Sequence, residues 1–184
     1  MDNSSNAKTI VLGITGSIAA YKAADIANSL TKDGYSVHAV MTKAAVEFIT
    51  PLTLQSLTKN NVYTDVFDSF DAHSIAHIEL AQMASIVLIA PASADFIAKA
   101  AAGIADDMLG SILLATKAPI LFAPAMNTAM YEHPFTQRNI RTLQDNGAVF
   151  IEPRESLLAC GDLGRGALAE QSTIIAKIKH VLGE

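Results

Sequence analysis

The chain has 184 residues, enough for one domain with a full core and too few for two large ones. A net charge of −5, no Lys/Arg-rich run and an aromatic share of 6% exclude a nucleic-acid surface built on phosphate contacts or base stacking. Apolar residues make up 51%, yet no segment approaches the roughly 18 consecutive apolar residues of a membrane span, so the excess is expected inside layered α/β packing, between subunits, or both.

Residues 1–7 are polar, lack the apolar region of a signal peptide and read as a flexible tail; residues 8–184 read as one domain. In chain order, 9–12 is a predicted buried strand and 17–31 an Ala-rich helix. Residues 36–41 form a second strand, and 44–58 one or two short helices interrupted near Pro51. After a turn-rich stretch at 65–71 come a short helix at 78–83 and the strongest buried-strand signal, SIVLIA at 85–90. Helices follow at 93–102 and 107–116, then a strand at 119–123, a helix at 136–146, a short strand at 148–151 and a closing helix at 173–182. The sole cysteine, Cys160, excludes an internal disulfide and fits a reducing, cytoplasmic compartment.

Alternating β and α elements with near-continuous apolar strands define a single doubly wound (Rossmann/flavodoxin-like) parallel sheet with helices on both faces. Ligands of such sheets sit outside the carboxyl ends of the strands, so those ends hold the candidate residues. After the first strand comes Gly13-Ile14-Thr15-Gly16-Ser17-Ile18, where glycine allows close backbone approach and a helix start offers N–H groups to an anion; a tight turn with no ligand reads equally. The second strand ends in Thr42 and Lys43 without the carboxylate of a dinucleotide site, favouring a mononucleotide unless Thr42 is simply a surface residue. In the third, Pro91 is expected to stop the strand, and Ser93 or Asp95 can cap the next helix. The fourth ends Ala125-Met126-Asn127, where the Asn amide can donate to a carboxylate or serve as a cap. His77 lies among apolar residues on a short helix, structural or catalytic, and Cys160 falls in a Gly-rich stretch expected to be a mobile loop closing over substrate. No metal site is expected.

Together GITGSIAAYK (13–22), AHIEL (76–80), IAPASAD (89–95), PAMNTAMY (124–131) and ACGDLGRGALAE (159–170) resemble the homo-oligomeric flavin-containing cysteine decarboxylase family, in its order and across residues 8–170. The last segment is nearer the pantothenoyl branch than the lantibiotic one. Two departures stand out: the family commonly has Asn where this chain has Asp95, and GRGALAE replaces the GPGRM of two-domain bacterial forms. The sequence is therefore similar to the single-function form, and with no synthetase segment after residue 184 it is expected to decarboxylate only.

The resemblance implies FMN, with Gly16, Ser17 and Ile18 on the phosphate side and Thr42, Ser93, Ala94, Asp95 and Ala125 lining the rest of the site. It implies a homotrimer with flavin sites between subunits, possibly assembled into a dodecamer, acting on 4'-phosphopantothenoylcysteine. The cysteinyl side chain is oxidised to a thioaldehyde, CO₂ leaves, and reduction returns 4'-phosphopantetheine for coenzyme A biosynthesis. His77 is then the base and Cys160 the final proton donor, while Asn127, with Met126, binds the substrate carboxylate. The competing expectations are a peptidyl-cysteine decarboxylase of lantibiotic maturation and a non-catalytic flavin-binding regulatory protein. A flavin prenyltransferase is the third, and it should lack the PAMN segment.

Overall fold

The structure is a computed structural model that describes residues 7–67, 75–157 and 163–184, so most of the expected tail lies outside the described residues. Five strands, β1 (Thr9–Ile14), β2 (Ser36–Met41), β3 (Ile86–Ala92), β4 (Ile120–Pro124) and β5 (Val149–Phe150), form one sheet in the order β2-β1-β3-β4-β5. Every pairing in it is parallel. This is the flavodoxin-like order, with its switch point between β1 and β3.

Successive strand residues enter opposite layers because the side-chain period of a strand is two. Ile10, Leu12, Ile14, Leu88 and Leu121 join one buried cluster, and Val11, Val87, Ile89 and Phe122 the other. Both faces are thus apolar, and helices cover both. The first layer holds α1 (Lys22–Lys32), α3 (Pro51–Thr58) and α9 (Gln171–Val181). The second holds α4 (Ala76–Met83), α5 (Ala94–Ala102), α6 (Met108–Ala115) and α8 (Pro134–Asp145). Two very short helices, α2 (Lys43–Val46) and α7 (Thr128–Glu132), follow the carboxyl ends of β2 and β4. No described helix is long and apolar enough to cross a membrane.

Three expectations need correction, and one element was not expected. The helix expected over 17–31 is broken: Ser17 caps a single 3-10 turn at Ile18–Tyr21, and α1 begins at Lys22. Pro91 does not stop β3, which runs on to Ala92. The register of β3 against β4 shifts between Ile89 and Ala92, and at such an irregularity the missing proline N–H is tolerated. The Gly-rich stretch is not simply a loop, because β6 (Arg154–Leu157) and β7 (Leu163–Ala167) pair as an antiparallel hairpin. Finally, α7 was not predicted, since five residues are too few to show a helical period.

On β2, half-buried His38 places Nε2 3.2 Å from Ser36 Oγ. Its Nδ1 has no partner among the described residues. Burial pushes its pKa below 6.5, with the Glu79 charge acting the other way. A histidine that resists protonation only when folded gives the unfolded chain more protons in acid. Stability is therefore fully present above pH 6.5 and declines as pH falls from there through the lowered folded-state pKa. The melting midpoint of wild type is expected to drop more steeply over that window than that of His38→Gln, and equal slopes would exclude this assignment.

Candidate active site

The carboxyl ends of β1, β2, β3 and β4 open onto one cavity of about 1040 Å³. Gly16, Ser17 and Ile18 line it after β1, Thr42 after β2, Ser93, Ala94 and Asp95 after β3, and Ala125, Met126 and Asn127 after β4. The structure thus brings together every cofactor and substrate candidate read from the sequence.

Local chemistry explains why these segments turn where they do. Each begins a helical turn with an oxygen-bearing cap. Ser17 accepts from the Ala19 N–H, Thr42 from Ala45, Ser93 from Phe96, Asp107 from Gly110 and Asn127 from Ala129. The helix starts therefore point at a common space, and their positive ends favour an anion there. Ser93, not Asp95, is the cap of α5. Gly16 is required by close approach: a Cβ there would stand 2.5 Å from the Ala44 methyl carbon.

Thr15 joins the two strands that flank the switch point, and sequence reasoning did not single it out. Thr15 is 1% exposed, and its hydroxyl donates to Pro91 O at 2.7 Å and accepts from the Ser93 N–H at 2.8 Å. Thr15→Val keeps the shape but leaves the half-buried Ser93 N–H without this acceptor and Pro91 O with only the 3.3 Å bond from the Thr15 N–H, which is expected to cost about 1–3 kcal/mol of stability in a denaturant titration. An unchanged midpoint would contradict it.

The cavity is electrically uneven. Lys22 and Lys43 lie on the β1–β2 side, while Asp95, Asp106 and Asp107 lie on the α5–α6 side. Lys99 ties the acidic side together at 3.1 Å from Asp106 and 3.7 Å from Asp95. The hydrogen bond to Asp106, helped by the charge of Asp95, raises the Lys99 pKa and keeps it cationic.

The remaining wall comes from the hairpin through Arg154, Ser156, Gly166, Ala167 and Leu168. Arg154 is fixed there by donating from Nε to Leu168 O at 3.1 Å and pairing with Glu170 at 3.0 Å. Gly166 (φ 154°) accepts the Met126 N–H at 2.9 Å, and a Cβ there would fall 2.2 Å from Met126 O. Only glycine lets β7 lie this close to the Met126–Asn127 backbone.

Of the two catalytic candidates, one lies outside the described residues and the other is not at the cavity. Cys160 lies outside the described residues. His77 is described, in the first turn of α4, but it does not line the cavity of its own chain. It is half-buried, and its Nδ1 has no partner among the described residues.

The profile of the family described as Flavoprotein matches residues 1–183. The chain belongs to the flavoprotein family. Among relatives, this flavoprotein is 53% identical over 177 residues to a probable phosphopantothenoylcysteine decarboxylase of Streptococcus mutans, covering 95% of this chain and 99% of that one. It is 45% identical over 170 residues to the coenzyme A biosynthesis bifunctional protein CoaBC of Bacillus subtilis, covering 92% of this chain but 42% of the relative. A solved structure of a cysteine-to-serine variant of PPC decarboxylase, complexed with pantothenoylaminoethenethiol, superposes with a TM-score of 0.88 at 34% identity, covering 97% of this chain and 100% of that one. The FMN-dependent cysteine decarboxylase SpaF superposes at 0.84 with 31% identity, covering 96% and 98%.

Sequence reasoning also missed Lys22, Lys99 and Arg154 as lining groups of the flavoprotein site. For Lys99 a signal was present, since Asp95 and Lys99 stand at i and i+4 on a predicted helix. For Arg154 there was none, because its place depends on the hairpin.

Proposed function

We propose that this chain decarboxylates 4'-phosphopantothenoylcysteine to 4'-phosphopantetheine for coenzyme A biosynthesis, with FMN as cofactor. The observation that carries the reading is the convergence of the Gly16–Ile18 turn, the Ser93–Asp95 turn and the Ala125–Asn127 turn on one cavity at the switch point. The near full-length likeness to a probable decarboxylase of this substrate supports it.

The donor set fits FMN. Ser17, Thr42 and Ser93 offer hydroxyls and adjacent helix-start N–H groups, Lys22 and Lys43 offer positive charge for a phosphate, and Ile18, Phe48, Met126 and Leu168 offer apolar surface to a flat ring. Gly16, Ser17 and Ile18 take the phosphate side, and Thr42, Ser93, Ala94, Asp95 and Ala125 the remainder. When bound, the flavin supplies a two-electron acceptor and donor for the cysteinyl side chain.

Around that chemistry the chain's own residues bind and move protons. His77 assists removal of the first proton as the cysteinyl thiol becomes a thioaldehyde. Asn127, with Met126 beside it, holds the carboxylate so that its bond to carbon is aligned for departure. Loss of CO₂ next to the C=S group leaves an enethiolate, and Cys160 delivers the proton that completes its reduction. A complex of an enethiol with a cysteine-to-serine variant in the PPC decarboxylase relative supports that last assignment.

His77 acts from a second copy in this reading. It does not line its own cavity, α4 and α6 leave Met83 and Leu114 exposed, and Ile18, Tyr21 and Phe48 are exposed at the cavity rim. These features support sites completed between subunits; the homotrimer and the cytoplasmic setting follow from the family resemblance and complete the reading. The test is competition between phosphopantothenoylcysteine and a peptide ending in cysteine. The reading expects kcat/KM for the pantothenoyl substrate to be at least about a hundredfold higher. Preference for the peptide would transfer the chain to the peptidyl branch.

A further inference from the structure

Asn127, which the reading above places on the substrate carboxylate, sits in a closed circuit of contacts. Its carbonyl accepts the Tyr131 N–H at 2.9 Å, and its side-chain oxygen accepts the Ala129 N–H at 2.8 Å. Its orientation is therefore that of α7. A helix of five residues is not stable alone, so whatever holds Tyr131 sets its attitude.

Tyr131 is 7% exposed, and its carbonyl accepts from Gln137 Nε2 at 2.7 Å. Its hydroxyl donates to Glu152 Oε2 at 3.2 Å. The same Glu152 oxygen accepts from Arg165 of β7 at 2.6 Å, and the Arg165 guanidinium stands 5.8 Å from the Tyr131 ring centroid. Burial and then the Glu152 charge raise the Tyr131 pKa, so the phenol stays a donor. From Arg165, β7 leads back to the start. Gly166 O accepts the Met126 N–H at 2.9 Å, and a Cβ on Gly164 would fall 2.4 Å from Thr128 Oγ1.

Glu152 is where three elements meet: the segment after β5, the helix α7 and the strand β7. It does not line the cavity, but it borders a separate groove with Tyr131, Gln137 and Arg165. We propose that Glu152 is a positioning residue that ties α7 to β7 and so holds the Asn127 amide toward the substrate carboxylate. The proposal rests on the functional reading above. A half-exposed ion pair adds little to global stability, so its removal leaves the fold intact while the circuit opens.

The experiment compares wild type, Glu152→Ala and the charge exchange Glu152→Arg/Arg165→Glu. It measures turnover of phosphopantothenoylcysteine and inhibition by phosphopantetheine, which has no carboxylate. Glu152→Ala is expected to raise KM about fivefold with kcat within about twofold of wild type. Flavin content, melting midpoint and phosphopantetheine inhibition stay at wild-type values, and the charge exchange recovers most of the KM. A merely structural role would weaken both ligands alike. Equal loss for both ligands, or an unchanged KM, overturns the role of Glu152. Absence of turnover in wild type overturns the functional reading instead, and with it the carboxylate role. Should Glu152→Ala fail to fold, Glu152→Leu keeps much of the size, removes both acceptor oxygens and carries the same test.

Discussion

His77→Asn is expected to lower turnover about a thousandfold, the usual reach of a lost general base, while leaving the flavin bound. Asn keeps much of the size and some hydrogen-bonding capacity of the ring but cannot take a proton at neutral pH. His77 does not line the cavity that would hold the flavin in its own chain, so the substitution leaves that binding surface untouched. The measurement is anaerobic: substrate is added to yellow protein and the loss of flavin colour is followed. Wild type should bleach transiently and His77→Asn should not. Normal bleaching and turnover in the variant would remove His77 from the chemistry. Mixing makes the same residue test the assembly. If His77 comes from a neighbouring copy, unfolding and refolding His77→Asn together with Asn127→Asp should return part of the activity, because some sites then receive both intact residues. If one chain supplies both, the mixture stays inactive.

Gly16→Ala is expected to weaken flavin binding. The new carbon would lie 2.5 Å from the Ala44 methyl carbon, and neither residue has a flexible end that can move aside. The β1 turn or the start of α2 must shift. Overpacking of this kind costs about 1–3 kcal/mol, and if all of it falls on the bound state the dissociation constant rises about 5- to 150-fold. Titration of apo-protein with FMN, followed by quenching of flavin fluorescence, measures it. Adding Ala44→Gly removes the opposing methyl, and the next Ala44 atoms are 3.6 Å away, so the double variant should regain most of the affinity. A single variant that binds as tightly as wild type would show that this turn does not shape the site.

The parts of the fold that depend on short-range pattern were readable. β2 was found at its observed bounds, and the core of β3 in SIVLIA, because a strand apolar on both faces appears as an unbroken run. The candidate residues at the strand ends followed from topology, since a doubly wound sheet brings distant carboxyl ends together. What the sequence hid depends on partners far along the chain. Pro91 looked like a strand stop because its tolerance comes from a register shift against β4. Thr15 looked like one more residue of a Gly-rich turn, and only its bonds to Pro91 and Ser93 show that it joins β1 to β3. Gly164 and Gly166 read as loop glycines because glycine is rare in strands. Their reason is lateral, the close approach of β7 to Met126 and Thr128. For His77, a local segment fixes the helix but cannot say which copy's cavity the ring serves.

The most direct test of the central claim is to record the visible spectrum of the purified protein, add phosphopantothenoylcysteine, and measure CO₂ and phosphopantetheine together. The account predicts a yellow protein carrying FMN that forms one CO₂ per phosphopantetheine and consumes no external oxidant. A protein that neither carries nor takes up FMN, or that carries it and leaves this substrate unchanged, would contradict it.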